Sequence, residues 1–137
     1  MPSVFSLSHR PFRAPRELQD AIAEIGKGKS VKTDAVLFKQ GEPAKGLFLV
    51  ESGKIVLSQG SGRRKKLFGI ADAGSILGLP AVVRNQPYSL TATAVAESKL
   101  TFVSRTKAQR LLQSDPQLCF KAVQVLSNEV RALRLQT

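Results

Sequence analysis

After Pro15, apolar residues recur at Leu18, Ala21, Ile22 and Ile25, the i, i+3, i+4, i+7 spacing of one helix face, and Gly26 follows the last of them. This pattern predicts a short amphipathic helix, opened by a proline that needs no N–H in a first turn and closed by a glycine. From Ser30 to Val103 the period changes. Short apolar runs, Val36-Leu37-Phe38, Leu47 to Val50, Ile55-Val56-Leu57, Leu67-Phe68 and Leu100 to Val103, are separated by Gly, Ser, Pro and Asp. Many short strands broken by turn residues predict a sandwich or barrel. Ser52-Gly53, between two apolar runs, reads as a hairpin, and Gly41-Glu42-Pro43 as another turn.

Helical spacing returns after Arg105, where Ala108, Leu111 and Leu112 form a brief apolar face ending near Ser114. Asp115-Pro116 then restarts it: the aspartate accepts free amide hydrogens and the proline has none to leave unpaired. In the helix that follows, Cys119, Val123, Leu126, Val130 and Leu133 are spaced 4, 3, 4 and 3, the seam of a two-stranded coiled coil. Leu118, Ala122, Val125 and Glu129 lie on an adjoining face, and the first three suit packing against the barrel. Two apolar stripes fit a helix that touches both its own domain and a partner subunit; burial wholly within one chain is the other reading. About three heptads are too few to pair without further support.

The chain has 137 residues, enough for one domain with a core, and apolar and charged fractions of 42% and 23%, which match ordinary globular usage. The longest run free of charged and polar side chains, Ile76 to Val83, contains Gly78 and Pro80 and is far short of the ~18 residues that span a bilayer. Met1 to Arg13 has no apolar centre suited to a signal peptide and reads as a loose basic lead-in, so a cytoplasmic location without membrane contact is expected.

One cysteine, Cys119, forms no intrachain disulfide and supplies too few thiolates for an iron–sulfur cluster or structural zinc. The one histidine, His9, lies in the lead-in. This inventory argues against triad hydrolysis and against metal-dependent catalysis, so the expectation is a protein that is not an enzyme and holds no metal.

The net charge is +11, and its distribution is even: six basic and three acidic groups over residues 1–32, nine and five over 33–104, six and two over 105–137. The one dense run, Arg63-Arg64-Lys65-Lys66, follows Gly60-Ser61-Gly62 where a hairpin tip falls. A solvated turn and a contact for phosphate backbone both fit it.

The run Val36-Leu37-Phe38-Lys39-Gln40-Gly41-Glu42, followed by Gly46-Leu47-Phe48-Leu49-Val50-Glu51-Ser52-Gly53-Lys54-Ile55, resembles the start of cyclic-nucleotide-binding domains. The order of elements is similar to the sensor half of the Crp/Fnr transcription regulators, from Leu18 to Leu135. The resemblance implies a mostly β fold with flanking helices, a double-stranded β-helix (jelly roll), followed by a long C-terminal dimerisation helix. The expected organisation is a flexible segment over 1–14, a sensor domain over 15–114 and a dimerisation helix over 115–137.

In that family a glycine and glutamate, a short helix and a later arginine cradle the ligand. Helix amides and guanidinium hold the cyclic phosphate, and the carboxylate takes the ribose hydroxyl. The stretch that looks like this cassette is Gly74 to Val83 followed by Pro87 to Ala92, and the scaffold glycines Gly74 and Gly78 match. Leu79 stands where the ribose-binding carboxylate belongs and Tyr88 where the phosphate-binding arginine belongs. A buried anion without its cation costs ~3–5 kcal/mol, so binding of cyclic AMP or cyclic GMP is not expected. Arg84, four residues before Tyr88, either reaches inward as a replacement or remains an exposed loop arginine. The family's base-contacting hydroxyl position falls near Leu133, which forms no hydrogen bond through its side chain.

The candidate ligand set is therefore Gly78, Leu79, Pro80, Ala81, Arg84, Tyr88, Ser89 and Leu133. Leu79, Tyr88, Ser89 and Leu133 would wall a pocket for a small, mostly apolar effector, or fill it as core, with Tyr88 placing its hydroxyl at the surface. The candidate dimer seam is Cys119, Val123, Leu126, Val130 and Leu133. The family places a helix-turn-helix DNA-reading module after the long helix, so this chain is expected to be either a sensor fragment of a longer regulator, the favoured reading, or a free-standing sensor domain, with DNA met only through that module. Two other readings compete: a basic module binding nucleic acid or protein through Arg63 to Lys66, and a small-molecule enzyme of the β-helix type. The first lacks interleaved aromatics, and the second lacks ligand histidines within the barrel.

Overall fold

A computed structural model describes residues 11–136, with side chains through Arg131. The first helix, α1 (Arg16–Ile25), buries Leu18 and Ile22, and the Gly26 amide donates back to the Ile22 carbonyl. A Cβ at Gly26 would fall 2.3 Å from the Thr101 methyl, so the chain can turn here only with glycine. The strands are β1 (Lys27–Val31), β2 (Val36–Phe38), β3 (Gly46–Ser52), β4 (Ile55–Gln59), β5 (Lys66–Ala71), β6 (Ile76–Leu77), β7 (Thr91–Ala94) and β8 (Ser98–Ser104). A short helix α2 (Leu79–Arg84) lies between β6 and β7, and α3 (Arg105–Ser114) and α4 (Pro116–Gln136) end the described chain.

Two four-stranded antiparallel sheets form, in the orders β1-β8-β3-β6 and β2-β7-β4-β5. This is the expected jelly roll. The Ser52-Gly53 hairpin is corrected: β3 pairs with β8 and β6, β4 pairs with β5 and β7, and the turn carries the chain from one sheet to the other. Gly53, at φ +106°, sits against Ser98, which explains the glycine without requiring a hairpin. The Gly60–Lys65 tip does close a hairpin, because Gln59 pairs with Lys66, and Arg63 to Lys66 are all exposed.

Strand β3 is buried continuously from Gly46 to Val50. Leu47 and Leu49 enter the layer beneath the helices, with Leu18, Ile76, Leu79, Val82, Val103, Ala122 and Val125. Phe48 and Val50 point between the sheets, with Phe12, Phe38, Ile55, Leu57, Phe68, Tyr88 and Leu100. The alternation of a strand thus divides one apolar run between two cores.

The flexible segment expected over residues 1–14 is corrected for its last part. Phe12 is 2% exposed and tilts against Phe68, its carbonyl accepts from Ile76, and the Ala14 amide donates to Gly74. An aromatic ring that enters the inter-sheet core holds this stretch in place. Residues 1–10, His9 among them, lie outside the described residues. Asp115 accepts from the amides of Gln117 and Leu118 at 3.0 and 3.2 Å, the expected cap of the long helix. Ala122 and Val125 seat that helix on the domain, with Leu118 half-buried beside them. Among the described residues no helix is long and apolar enough to cross a membrane.

Candidate ligand site

The cassette is built where three elements converge: the end of β3 at Gly46, the helix α2, and the loop from Pro87 to Leu90. Gly78 caps α2 in the left-handed region, at φ +87°. An added Cβ there would come 3.0 Å from the Tyr88 ring and 3.3 Å from the Gly46 carbonyl. Pro80 follows in the first turn, which removes one of the amide hydrogens that such a turn otherwise offers.

Tyr88 closes this convergence and is 5% exposed. Its ring stacks on Phe38 at 3.9 Å between centroids and 16° between planes. Its hydroxyl donates to the Gly46 carbonyl at 2.6 Å and accepts from the Gly46 amide at 3.3 Å. The Tyr88 backbone is pinned as well, donating to Glu42 and accepting from Gly41. The hydroxyl expected at the surface is therefore buried and bonded, a correction that follows from the free backbone groups at the end of β3. Burial raises the phenol pKa above its ordinary value of 10.0, against the opposing pull of the backbone hydrogen bonds, so the side chain stays neutral.

What remains inside is a cavity of ≈ 20 Å³, lined by Phe12, Phe38, Gly78, Tyr88 and Glu129 among others, about the size of one water. Of the expected set, Gly78, Pro80, Ala81, Tyr88 and Ser89 meet at this cavity. Leu79 does not: it packs into the layer beneath the helices, with Leu18 and Val82. The expected wall position for Leu79 is corrected by the helical turn, which aims it away from Tyr88. Arg84 is exposed and lines a second, wider pocket of ≈ 500 Å³ with Phe68, Pro87, Leu90, Leu126 and Val130. The Leu133 side chain lies outside the described residues.

Glu129 stands where the two spaces meet and lines both. It is 8% exposed, and its Oε2 has no hydrogen-bond partner among the described residues. Desolvation raises its pKa from 4.5 to about 8, so the carboxyl is largely protonated at neutral pH. The sequence placed Glu129 on the face of Leu118, Ala122 and Val125, and that spacing was the signal of its burial. Its charge type pointed the other way.

On the adjoining side of α4 the seam is open. Cys119 is exposed, Val123 and Val130 are each 52% exposed, and Leu126 is half-buried against its own domain. Phe120, which the seam pattern left out, is 64% exposed beside them. A groove of ≈ 660 Å³ runs between Arg13–Pro15 and Phe120, Val123 and their neighbours. Among the described residues no group of three or more His, Cys, Asp and Glu is placed to hold a metal ion.

The family model "Cyclic nucleotide-binding domain" matches residues 28–115, well over half of the chain. The chain belongs to the cyclic nucleotide-binding domain family. It is similar to the HTH-type transcriptional regulator Cmr of Mycobacterium tuberculosis, 26% identical over 121 residues, which cover 88% of this chain and 50% of that protein. Its fold is similar to the Thermus thermophilus catabolite activator protein, with a TM-score of 0.77 and 21% identity over 89% of this chain and 58% of that one. The c-di-GMP responsive global regulator CLP of Xanthomonas campestris follows at a TM-score of 0.73 and 17% identity, over 86% and 60%. The chain spans half the length of Cmr. These neighbours are regulators of the Crp/Fnr type, as the sequence resemblance implied.

Two outcomes test the site. Tyr88→Phe leaves the buried Gly46 amide and carbonyl without the hydroxyl and should cost about 1–3 kcal/mol in chemical denaturation. The folded state holds the Glu129 proton more tightly than the unfolded state does. Between about pH 4.5 and about 8, Glu129 therefore makes stability fall as pH rises, by up to ~1.4 kcal/mol per unit. Glu129→Gln should flatten that slope when the two proteins are compared across the window.

Proposed function

We propose that this chain is a regulatory sensor and pairing module of a Crp/Fnr-type transcription regulator, closed to ordinary cyclic mononucleotides. The observation that carries the second half is Tyr88. Its ring occupies the convergence of Gly46, Gly78 and α2, stacked on Phe38, where the family seats a cyclic phosphate. Among the described residues no guanidinium lines the residual cavity, and its ≈ 20 Å³ admits no nucleotide. Arg84 lies on the rim of the wider pocket, and Pro80 reduces the amide donors of α2.

Pairing is proposed through the open face of α4, with Cys119, Val123, Leu126, Val130 and Leu133 as its seam and Phe120 alongside. An exposed apolar stripe on a helix whose other face is already seated suits a second copy of the same helix. DNA would be met through a further domain, as the name of the relative Cmr suggests for that protein, and the module would work in the cytoplasm with that domain. Signals would pass along α4, because it packs on the sensor domain with one face and offers the other to the partner.

Cyclic AMP or cyclic GMP at about 100 µM should leave the melting temperature unchanged in a thermal-shift assay; a rise of several degrees would refute the closed cassette. Val123→Lys combined with Val130→Lys should convert the dimer to a monomer by light scattering. Both side chains are half-exposed in the single chain, so the folded domain should keep its circular dichroism, and an unchanged mass would count against the seam.

A further inference from the structure

The run Arg63-Arg64-Lys65-Lys66 lies outside the cassette and the α4 seam, at the tip that joins β4 to β5, and all four side chains are exposed. The tip is held in one shape. A single 3-10 turn spans Gly62–Arg64, with the Arg64 amide donating to Ser61 and the Lys65 amide to Gly62. Its base is tied to neighbouring loops: the Gly60 amide donates to Gln40 Oε1 at 2.9 Å, and Gln59 Nε2 donates to the Ser89 carbonyl at 3.3 Å. Gly60, at φ +77°, lets the chain close, since a Cβ there would lie 2.7 Å from the Arg64 carbonyl. With three residues per turn, successive side chains point about 120° apart, so the cations fan out around the tip.

The charge of this tip is unbalanced. From Ile55 to Ala71 the hairpin contains no Asp or Glu. Among the described residues ion pairs join Arg16 to Asp20 and Lys121 to Glu17, and none involves the tip. Glu42, in the turn just after Gln40, directs its carboxylate to the Lys39 amide at 2.8 Å. From Gly60 to Lys66 no side chain is apolar, so the tip has nothing to insert into a bilayer and no apolar contact to offer an acidic protein segment. None is aromatic either, so unpaired bases find no platform to stack on. A contact made by charge and hydrogen bonding alone remains, and fanned guanidinium and ammonium groups suit closely spaced phosphates. The duplex backbone presents such a lattice, about one charge per 1.7 Å of axis.

We propose that the β4–β5 tip is a sequence-independent contact for the phosphodiester backbone of double-stranded nucleic acid. It is separate from the cassette and the seam, and it stands whether or not the sensor reading of the chain holds.

The whole chain is titrated against a short labelled DNA duplex of mixed sequence and followed by fluorescence anisotropy. Four phosphate contacts give a log–log salt slope of about −3.6, so raising salt from about 25 to about 100 mM should weaken binding roughly a hundredfold. Arg63→Ala, Arg64→Ala, Lys65→Ala and Lys66→Ala together should remove most of the binding and most of the slope. Lys27→Ala, Lys32→Ala, Lys54→Ala and Lys99→Ala together take the same four charges from other exposed positions and should keep the affinity within about threefold. All eight side chains are exposed, so both variants should keep the circular dichroism of the unaltered chain. Leu67, 62% exposed, is the first apolar side chain after the tip, and Leu67→Ser should leave duplex binding unchanged. Equal loss in the two fourfold variants would reduce the effect to net charge and overturn the proposal. So would tighter binding of poly-L-glutamate than of the duplex, which marks an acidic protein, or binding to phosphatidylserine vesicles that Leu67→Ser abolishes, which marks a bilayer. Failure of the unaltered chain to bind the duplex at about 25 mM salt would overturn it as well.

Discussion

Strand β3 has no solvent face from Gly46 to Val50, and the rest of the architecture is arranged around that constraint. Leu47 and Leu49 require a layer of helices above the sheet, and Phe48 and Val50 require a second sheet below it. Gly46, at its edge, approaches the Val103 carbonyl and the Phe102 ring so closely that no side chain fits. Its amide and carbonyl still need partners, since a buried backbone group without one is costly. Tyr88 meets that need from the loop that leads from α2 into β7 of the other sheet, and in doing so it fills the space between Gly46, Gly78 and Phe38. A requirement of the strand has settled the shape of the site.

The same arrangement accounts for what could be read in the residues and what could not. Helices α1, α3 and α4 and the apolar strands were legible because their periods, 3.6 and 2, are local, whereas the six-residue α2 was implied only by the resemblance. β1, β6 and β7 were not. β1 (Lys-Gly-Lys-Ser-Val) is almost wholly exposed and exists because β8 pairs with it along its length. β6 has two residues, and β7 turns only Ala92 and Ala94 inward, too little apolar surface to mark a strand. The Ser52-Gly53 turn looks the same in sequence whether its flanking strands share a sheet or face each other across a core.

At the site, legibility ended where long-range contacts began. The resemblance implied that Leu79 and Tyr88 stand where charged cassette residues belong, but the stack of Tyr88 on Phe38 joins positions fifty residues apart. Leu79, by contrast, is set by its place on a six-residue helix and points into the helix-side layer. Glu129 reversed the usual reading of a charged residue: its place on the inner face of α4 outweighed its polarity. Residues of unfavourable type held at favourable positions are common where a structure does something other than fold.

Leu126 and Val130 belong at once to the wall of the wider pocket and to the apolar seam of α4. An occupant of one therefore rests on the same turn of helix as a neighbour at the other. Were a molecule to bind in that pocket and a second copy to pair on that stripe, thermodynamic reciprocity would apply: whatever factor the molecule imposed on association, association would return to its affinity. No relay across the domain is needed, because the two events share their side chains.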